Sequence, residues 1–406
     1  MRSHTKLSGY KLDSEVIKVL RFPLAMMVVF LHAEPFIDGW DITDMNVGNM
    51  GANMAGIIMY SISHILTQIA VPIFFVISGY LFFKKLEIWD RNEWSRKMRS
   101  RVSSLLIPYL LWVVFFCCVH IARHVVAGHG MAEMLSIVTQ WVKEQGGILN
   151  LFWSSSVWEG GADNVFGQKV LMSGPMPFHL WFIRDLIVMI LLSPLFYVLL
   201  HKGNGGRIRP LSAVTVFFLS AAYLAQIQMS VHGIGFTALF YFGMGAFYSL
   251  NGFFLSKKLY IYRWMIGLVS LVLFIVLIPM DGGRTEFGIL LFPLWTMLTV
   301  ILAFHMTAIF AVKNKLAGTV RVSDSSFFLY MVHPFMLAAV GSNIHSAGCK
   351  IMAVVDVSDM AFANAHPLVT IFLYFVKVLV TTGICIGIYK LLVLIFPRTM
   401  KIICGR

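Results

Sequence analysis

Residues 264–280, WMIGLVSLVLFIVLIPM, and 287–312, FGILLFPLWTMLTVILAFHMTAIFAV, contain no Asp, Glu, Lys or Arg. A helix crossing the hydrocarbon of a bilayer needs about 20 such residues. Inside hydrocarbon every backbone N–H and C=O must find a partner within its own segment, so an isolated apolar run of this kind is a helix. A membrane β-barrel would show alternating segments of about ten residues instead. Further apolar runs fill the rest of the chain, which is 58% hydrophobic and 13% charged. A soluble domain carries nearer a quarter charged residues. A soluble globular enzyme, a disordered chain and a secreted disulfide scaffold are excluded.

Ten spans are expected, at about 17–37, 60–83, 102–127, 178–200, 211–230, 234–255, 264–280, 287–311, 327–344 and 367–396. With the N-terminus inside, twenty-three Lys and Arg fall in inner segments and four in outer ones, Lys143, Lys169, Arg284 and Lys350. That asymmetry predicts both termini in the cytoplasm. The net charge of +13 is thus a topology signal, and no nucleic-acid partner is expected. The fold class expected is all-α: a polytopic membrane helix bundle of about ten transmembrane helices, with residues 1–406 as one membrane-embedded domain. The first apolar segment follows a basic N-terminus without a small-residue cleavage site, so it is expected to stay as a helix. No soluble catalytic domain is expected at either end. Cys117, Cys118, Cys385 and Cys404 lie in or beside apolar segments and only Cys349 in an outer loop, so no disulfide is expected.

Two outer loops, 38–59 and 128–177, are long. The second has room for re-entrant or interfacial helices. Its Trp141, Trp153 and Trp158 are interfacial anchors or sugar-stacking surfaces.

Ionisable groups at membrane depth face a cavity or a partner, because exposing them to lipid is costly. The first span holds Arg21 and His32, eleven residues apart. At about 100° and 1.5 Å per residue they share one face, about 16 Å apart along the axis. Pro23 lies between them and bends the helix near its inner end. Snorkelling of Arg21 and plain packing of His32 stay open. The second span, QIAVPIFFVISGYLFFKK, is broken by Pro72, Ser78 and Gly79, as close helix packing also requires. Five basic residues from Arg91 to Arg101 follow, which an ordinary inner loop would also carry. The fourth span begins PFHLWFIRDLI and holds His179, Trp181, Arg184 and Asp185. Adjacent residues do not face each other on a helix, so Arg184 and Asp185 are each expected to find a separate partner. The ninth, SSFFLYMVHPF, holds His333 beside Pro334. His120 and His124 share a face in the third span, but two His are too few to argue a metal. No phosphate-binding Gly-rich loop is present.

Taken in order, five features resemble the acyltransferase-3 family of integral-membrane acyltransferases. They are Arg21-x10-His32, VPIFFVISGYL, a basic segment running into LLIPYLLW, HLWFIRDLI and LYMVHPF. They cover residues 21 to 335. The family often has two basic residues shortly before the Pro of the third span; here Arg101 is present and Ser104 takes the nearer place. The resemblance implies acyl transfer, usually acetyl, from cytoplasmic acyl-CoA to a sugar hydroxyl beyond a bacterial cytoplasmic (inner) membrane. It implies a lipid bilayer and an extracytoplasmic carbohydrate as partners, acetyl-CoA as donor co-substrate, and no metal.

The resemblance implies these roles. His32 is the general base and Arg21 orients the donor or stabilises charge. A transient acyl-His intermediate is the alternative. Arg96, Lys97, Arg99 and Arg101 hold the CoA phosphates, with Ser78 and Tyr80 also at the donor. Arg184 or His179 meets the developing thioester oxyanion, with Asp185 orienting one of them. His179, Trp181, Arg184, Asp185, Glu34 and His333 line the acceptor side. The competing class is a transporter or flippase for a glycan or lipid-linked precursor, which would need no acyl-CoA; a third is a membrane sensor. The missing internal repeats and the large basic inner segment count against transport. The acceptor, the acyl group and the oligomeric state are left open.

Overall fold

The computed structural model describes all residues except 1, 34–36, 44, 46, 85, 87–88, 127–130, 160–170, 204–205, 227–232, 257–261, 281–284, 313–321 and 352–357. Side chains at 2–8, 123–126, 131–132, 134–135, 159, 286, 342, 345 and 348–351 are likewise outside it.

The helices are α1 Arg2–Leu31, α2 Met50–Tyr60, α3 Ala70–Phe83, α4 Arg91–Arg101, α5 Ile107–Val126, α6 Met131–Glu144 and α7 Ile148–Leu151. After them come α8 Trp181–Leu191, α9 Ser193–Leu200, α10 Pro210–Leu224, α11 Phe236–Leu250, α12 Arg263–Leu277 and α13 Glu286–Val312. The last are α14 Ser326–Ile351, α15 Asp359–Ala365, α16 Pro367–Ile395 and α17 Pro397–Ile403. A π-turn, Ser61–Ile65, and a 3₁₀ turn, Leu66–Ile69, join α2 to α3. A π-turn, Val102–Leu106, joins α4 to α5.

All ten predicted segments carry helix, but fewer helices meet the requirement for a crossing. Val47–Phe83, Arg91–Ala122, Phe287–Ala311 and Pro367–Ile395 are long and apolar enough, and α8 with α9 would be a fifth. Those two bend by 59° at Leu192, ahead of Pro194. Helices α10, α11 and α12 are apolar but only 15 residues long. Ten crossings and the positions of the termini therefore stay expectations. The membrane character is visible on the surface. Along α12, Trp264, Met265, Leu268, Leu271, Val272 and Ile275 are all exposed. A stripe of that size faces lipid in a helix whose other side packs on α13.

Within a structure that is otherwise helical, one short ribbon forms in the stretch 128–177. There α6 and α7 are followed by an antiparallel pair, β1 Ser156–Glu159 and β2 Leu171–Gly174. Ser156 pairs with Gly174 and Trp158 with Met172. Val157 and Trp158 of β1 are residue types that favour strands, in a stretch where no long apolar run demands a helix.

The described residues form two compact units, each made of chain from both halves. The first contains Met1–Phe74 and Phe253–Leu392. In it α1 packs on α13 and α14, and α15 packs on α2. Ala25, Val29, Ala33, Met59, Leu329 and Val378 share one buried core. Asp13, fully buried, accepts from Leu255 N at 3.2 Å, Ser256 N at 3.0 Å and Ser256 Oγ at 2.6 Å, which fastens α1 to the stretch before α12.

The second unit contains Phe75–Gly252 and Val393–Arg406. Here α11 packs on α8, α9 and α10. Trp112 Nε1 donates to Ile403 O at 3.0 Å, tying α17 to α5. Gly79 and Gly245 let α3 and α11 approach at backbone distance: a Cβ on Gly79 would run into the Phe242 carbonyl oxygen, and one on Gly245 into that of Val76. This is small-residue packing between apolar helices. Gly245→Val is expected to destabilise the protein by about 1–3 kcal/mol or more, the cost of overpacking against an unyielding backbone. Thermal unfolding in detergent measures it, and an unchanged midpoint would disprove the contact.

Candidate active site

His32 is the first residue past α1, held half-buried in a turn. Its Nδ1 lies 2.9 Å from Val28 O, one helical turn back, and 3.1 Å from His333 Nε2. The His32 and His333 ring centroids are 4.9 Å apart. His333 is fully buried in α14, with its Nδ1 2.7 Å from Tyr330 O. With both rings taken as neutral, these contacts fix the tautomers. A carbonyl oxygen can only accept, so His333 Nδ1 carries a proton and its Nε2 accepts. By the same rule His32 Nδ1 carries a proton, directed to Val28 O and His333 Nε2. The basic lone pair of a neutral His32 is therefore on Nε2. Such a ring can take a proton from a hydroxyl group.

Arg21 is exposed on α1, while His32 is half-buried. Pro23 lies within the continuous helix between them. Glu34 lies outside the described residues, as does Asp44 of the same outer loop.

The second polar cluster is in the other unit. Arg184 and Asp185, in the first turns of α8, are both buried and form an ion pair. Arg184 Nε donates to Asp185 Oδ1 at 2.9 Å and Nη2 to the same oxygen at 2.7 Å. The expectation of separate partners is thus corrected. Their Cβ atoms do point about 100° apart, but the three-methylene stem of arginine is long enough to fold across that gap. Arg184 Nη1 donates to Trp153 O at 2.7 Å and to Ser173 Oγ at 3.2 Å, and the guanidinium lies 5.7 Å from the Trp153 ring centroid. All three nitrogens are engaged, so Arg184 ties α7's flank and β2 to α8. Trp181 is half-buried at the start of α8. His179 is buried, edge-on to Phe116 and Phe178. Trp141 stacks on His120 at 4.4 Å. The side chain of His124 is outside the described residues. Among those described, no group of three or more His, Cys, Asp and Glu could hold a metal.

The basic residues from Arg91 to Arg101 lie on α4, capped by Asp90, whose carboxylate accepts from Glu93 N at 2.7 Å. Arg96 is exposed and bonded to Glu93. Arg99 is exposed. Lys97 Nζ donates to Phe82 O at 2.7 Å, closing the C-terminal end of α3, and lies 5.5 Å from the Phe82 ring. Arg101 lies 5.9 Å from the same ring. The four cations therefore present two faces, Lys97 and Arg101 toward Phe82 and Arg96 and Arg99 toward solvent. Tyr80 is fully buried and Ser78 half-buried beside the close-packed Gly79.

Sequence reasoning missed Ser63, Tyr374 and Asp13. Ser63 and Tyr374 are uncharged and sit in apolar runs without any local signal. Asp13 is charged, but its position in a basic N-terminal stretch resembles an ordinary solvated residue.

A family profile described as an acyltransferase domain matches residues 15–390. The chain is 25% identical over 234 residues to the succinoglycan biosynthesis protein ExoH of Rhizobium meliloti (strain 1021), covering 55% of this chain and 55% of that protein. It thus spans about half the length of the curated relative it matches. No solved structure matches the chain.

Proposed function

Because the chain belongs to the acyltransferase-3 family, we propose that it moves an acyl group, acetyl first among candidates, from cytoplasmic acyl-CoA to a glycan hydroxyl beyond the membrane. The observation that carries this reading is the proton arrangement at His32, whose Nδ1 hydrogen is committed and whose Nε2 lone pair is basic. The name of the relative, a protein of succinoglycan biosynthesis, supports a polysaccharide as acceptor.

In this reading the acceptor hydroxyl oxygen attacks the thioester carbonyl carbon while His32 Nε2 takes its proton. A tetrahedral oxyanion forms, collapses to the ester and expels the CoA thiolate. The imidazolium of His32 then returns the proton to that sulfur, leaving an ester and free CoA. His333 accepts from the Nδ1 hydrogen and so steadies the ring as it becomes charged. Arg96 and Arg99, the exposed pair on α4, meet the CoA phosphates by charge-assisted bonds. Lys97 and Arg101 add field from the Phe82 side. Arg21 steadies negative charge on the donor. For His179, Trp181, Arg184 and Asp185 an acceptor-binding role rests on the family resemblance alone. The placement is a multi-pass protein of a bacterial cytoplasmic membrane.

The test is incorporation of label from radiolabelled acetyl-CoA, and in a parallel arm succinyl-CoA, into host envelope glycan by membranes containing the protein. Label in the glycan is expected. None from any acyl-CoA, with folded protein present, would sink acyl transfer and favour transport.

A further inference from the structure

We propose that Ser63 and Tyr374 are positioning residues for His32, clamping the backbone on both sides of it through one buried hydrogen-bond chain. The inference rests on His32 acting as the base.

Ser63 Oγ lies 2.8 Å from Phe30 O and 3.4 Å from Ala33 O. Tyr374 Oη lies 2.6 Å from the same Ser63 Oγ. Carbonyl oxygens only accept, so the one hydroxyl hydrogen of Ser63 is directed to Phe30 O and Ala33 O. Tyr374 must then donate to Ser63. The chain runs in one direction, from the Tyr374 hydroxyl through the Ser63 hydroxyl to the carbonyls that flank His32. Ser63 is 1% exposed and Tyr374 0%, so bulk solvent does not reach either hydroxyl.

The three parts come from α1, the π-turn and α16, far apart in sequence. At the end of α1, His32 Nδ1 engages Val28 O, and Phe30 O, which accepts from Ala33 N at 3.1 Å, also accepts from Ser63 Oγ. Both serines lie in the π-turn and differ in where they bond. Ser61, its first residue, bonds back to the preceding helix, its Oγ donating to Ile57 O at 2.7 Å, as helical serines commonly do. Ser63, two residues further on, points across to α1, and its own carbonyl accepts from Thr67 Oγ1 at 2.6 Å. Isolated π-turns within α-helices are frequent at functional sites. The Phe30 ring packs on Tyr374 and Phe375, each at 5.7 Å, so side chain and carbonyl of Phe30 are held by the same element. A shift of His32 by about 1 Å would misalign its Nε2 and cost about 10²-fold in rate.

The experiment compares Tyr374→Phe, Ser63→Ala and Ser63→Thr in membranes at equal protein level, with radiolabelled acetyl-CoA as donor. For both hydroxyl deletions kcat is expected to fall by roughly ten- to a hundredfold, with KM for acetyl-CoA unchanged and kcat restored in Ser63→Thr. Added to His32→Ala, Tyr374→Phe is expected to cause no further loss. Native kcat in Tyr374→Phe, or the same fold loss on the His32→Ala background, would overturn the proposal. If Ser63→Ala does not fold, Tyr374→Phe decides, since it keeps the ring and its packing. Transfer at the native rate in His32→Ala would instead overturn the base assignment beneath it.

Discussion

His32→Ala is expected to lower acyl transfer by about 10²- to 10⁴-fold, the usual contribution of a positioned general base. The loss should fall on kcat, because the imidazole acts on the hydroxyl proton during the chemical step and need not bind CoA. His333→Ala should cost less, since His32 Nδ1 retains Val28 O as an acceptor at 2.9 Å and the Nε2 lone pair survives. Label transfer from acyl-CoA, measured for both variants beside the native protein, gives the comparison. An unimpaired His32→Ala would remove the base. A His333→Ala loss equal to that of His32→Ala would mean that the second ring is itself required for proton transfer.

Arg184→Ala is expected to cost about 3–5 kcal/mol of stability, because it leaves the buried Asp185 carboxylate without its charge partner. It also releases Trp153 O and Ser173 Oγ, the two acceptors in the stretch between α7 and α8. Arg184→Lys should recover only part of this, since one ammonium cannot reproduce three donating nitrogens fixed in a fork. Replacing both residues with apolar side chains of similar volume should recover most of it, the charge having been removed from both sides. Thermal unfolding in detergent distinguishes these outcomes. An Arg184→Ala protein as stable as the native one would mean that the pair does not hold the loop to α8.

Several candidate residues stood out from the sequence alone. Arg21, His32, His179, Arg184 and His333 are conspicuous because an ionisable group in an apolar run is costly to place in hydrocarbon. The close approach at Gly79 was also legible, as a small residue in a helix that would otherwise be uniformly bulky. Pairing was not legible. His32 and His333 are separated by 301 residues, and Ser63 and Tyr374 by 311. The Arg184–Asp185 bond was hidden for the opposite reason. Helical periodicity, which reads Cβ directions well, says nothing about where a long flexible side chain ends.

Apolar run length and charge placement by themselves determined that this chain is a helical membrane protein, and roughly where its helices lie. Those are local properties: each segment must satisfy its own backbone and its own transfer free energy. Only the tertiary structure decided that His333 Nε2 meets His32 Nδ1, that Ser63 reaches α1 and not its own helix, and that Asp13 holds the stretch before α12. A hydrogen bond is set by a few tenths of an ångström between atoms on different elements. That precision comes from helix packing, which no local window of sequence contains.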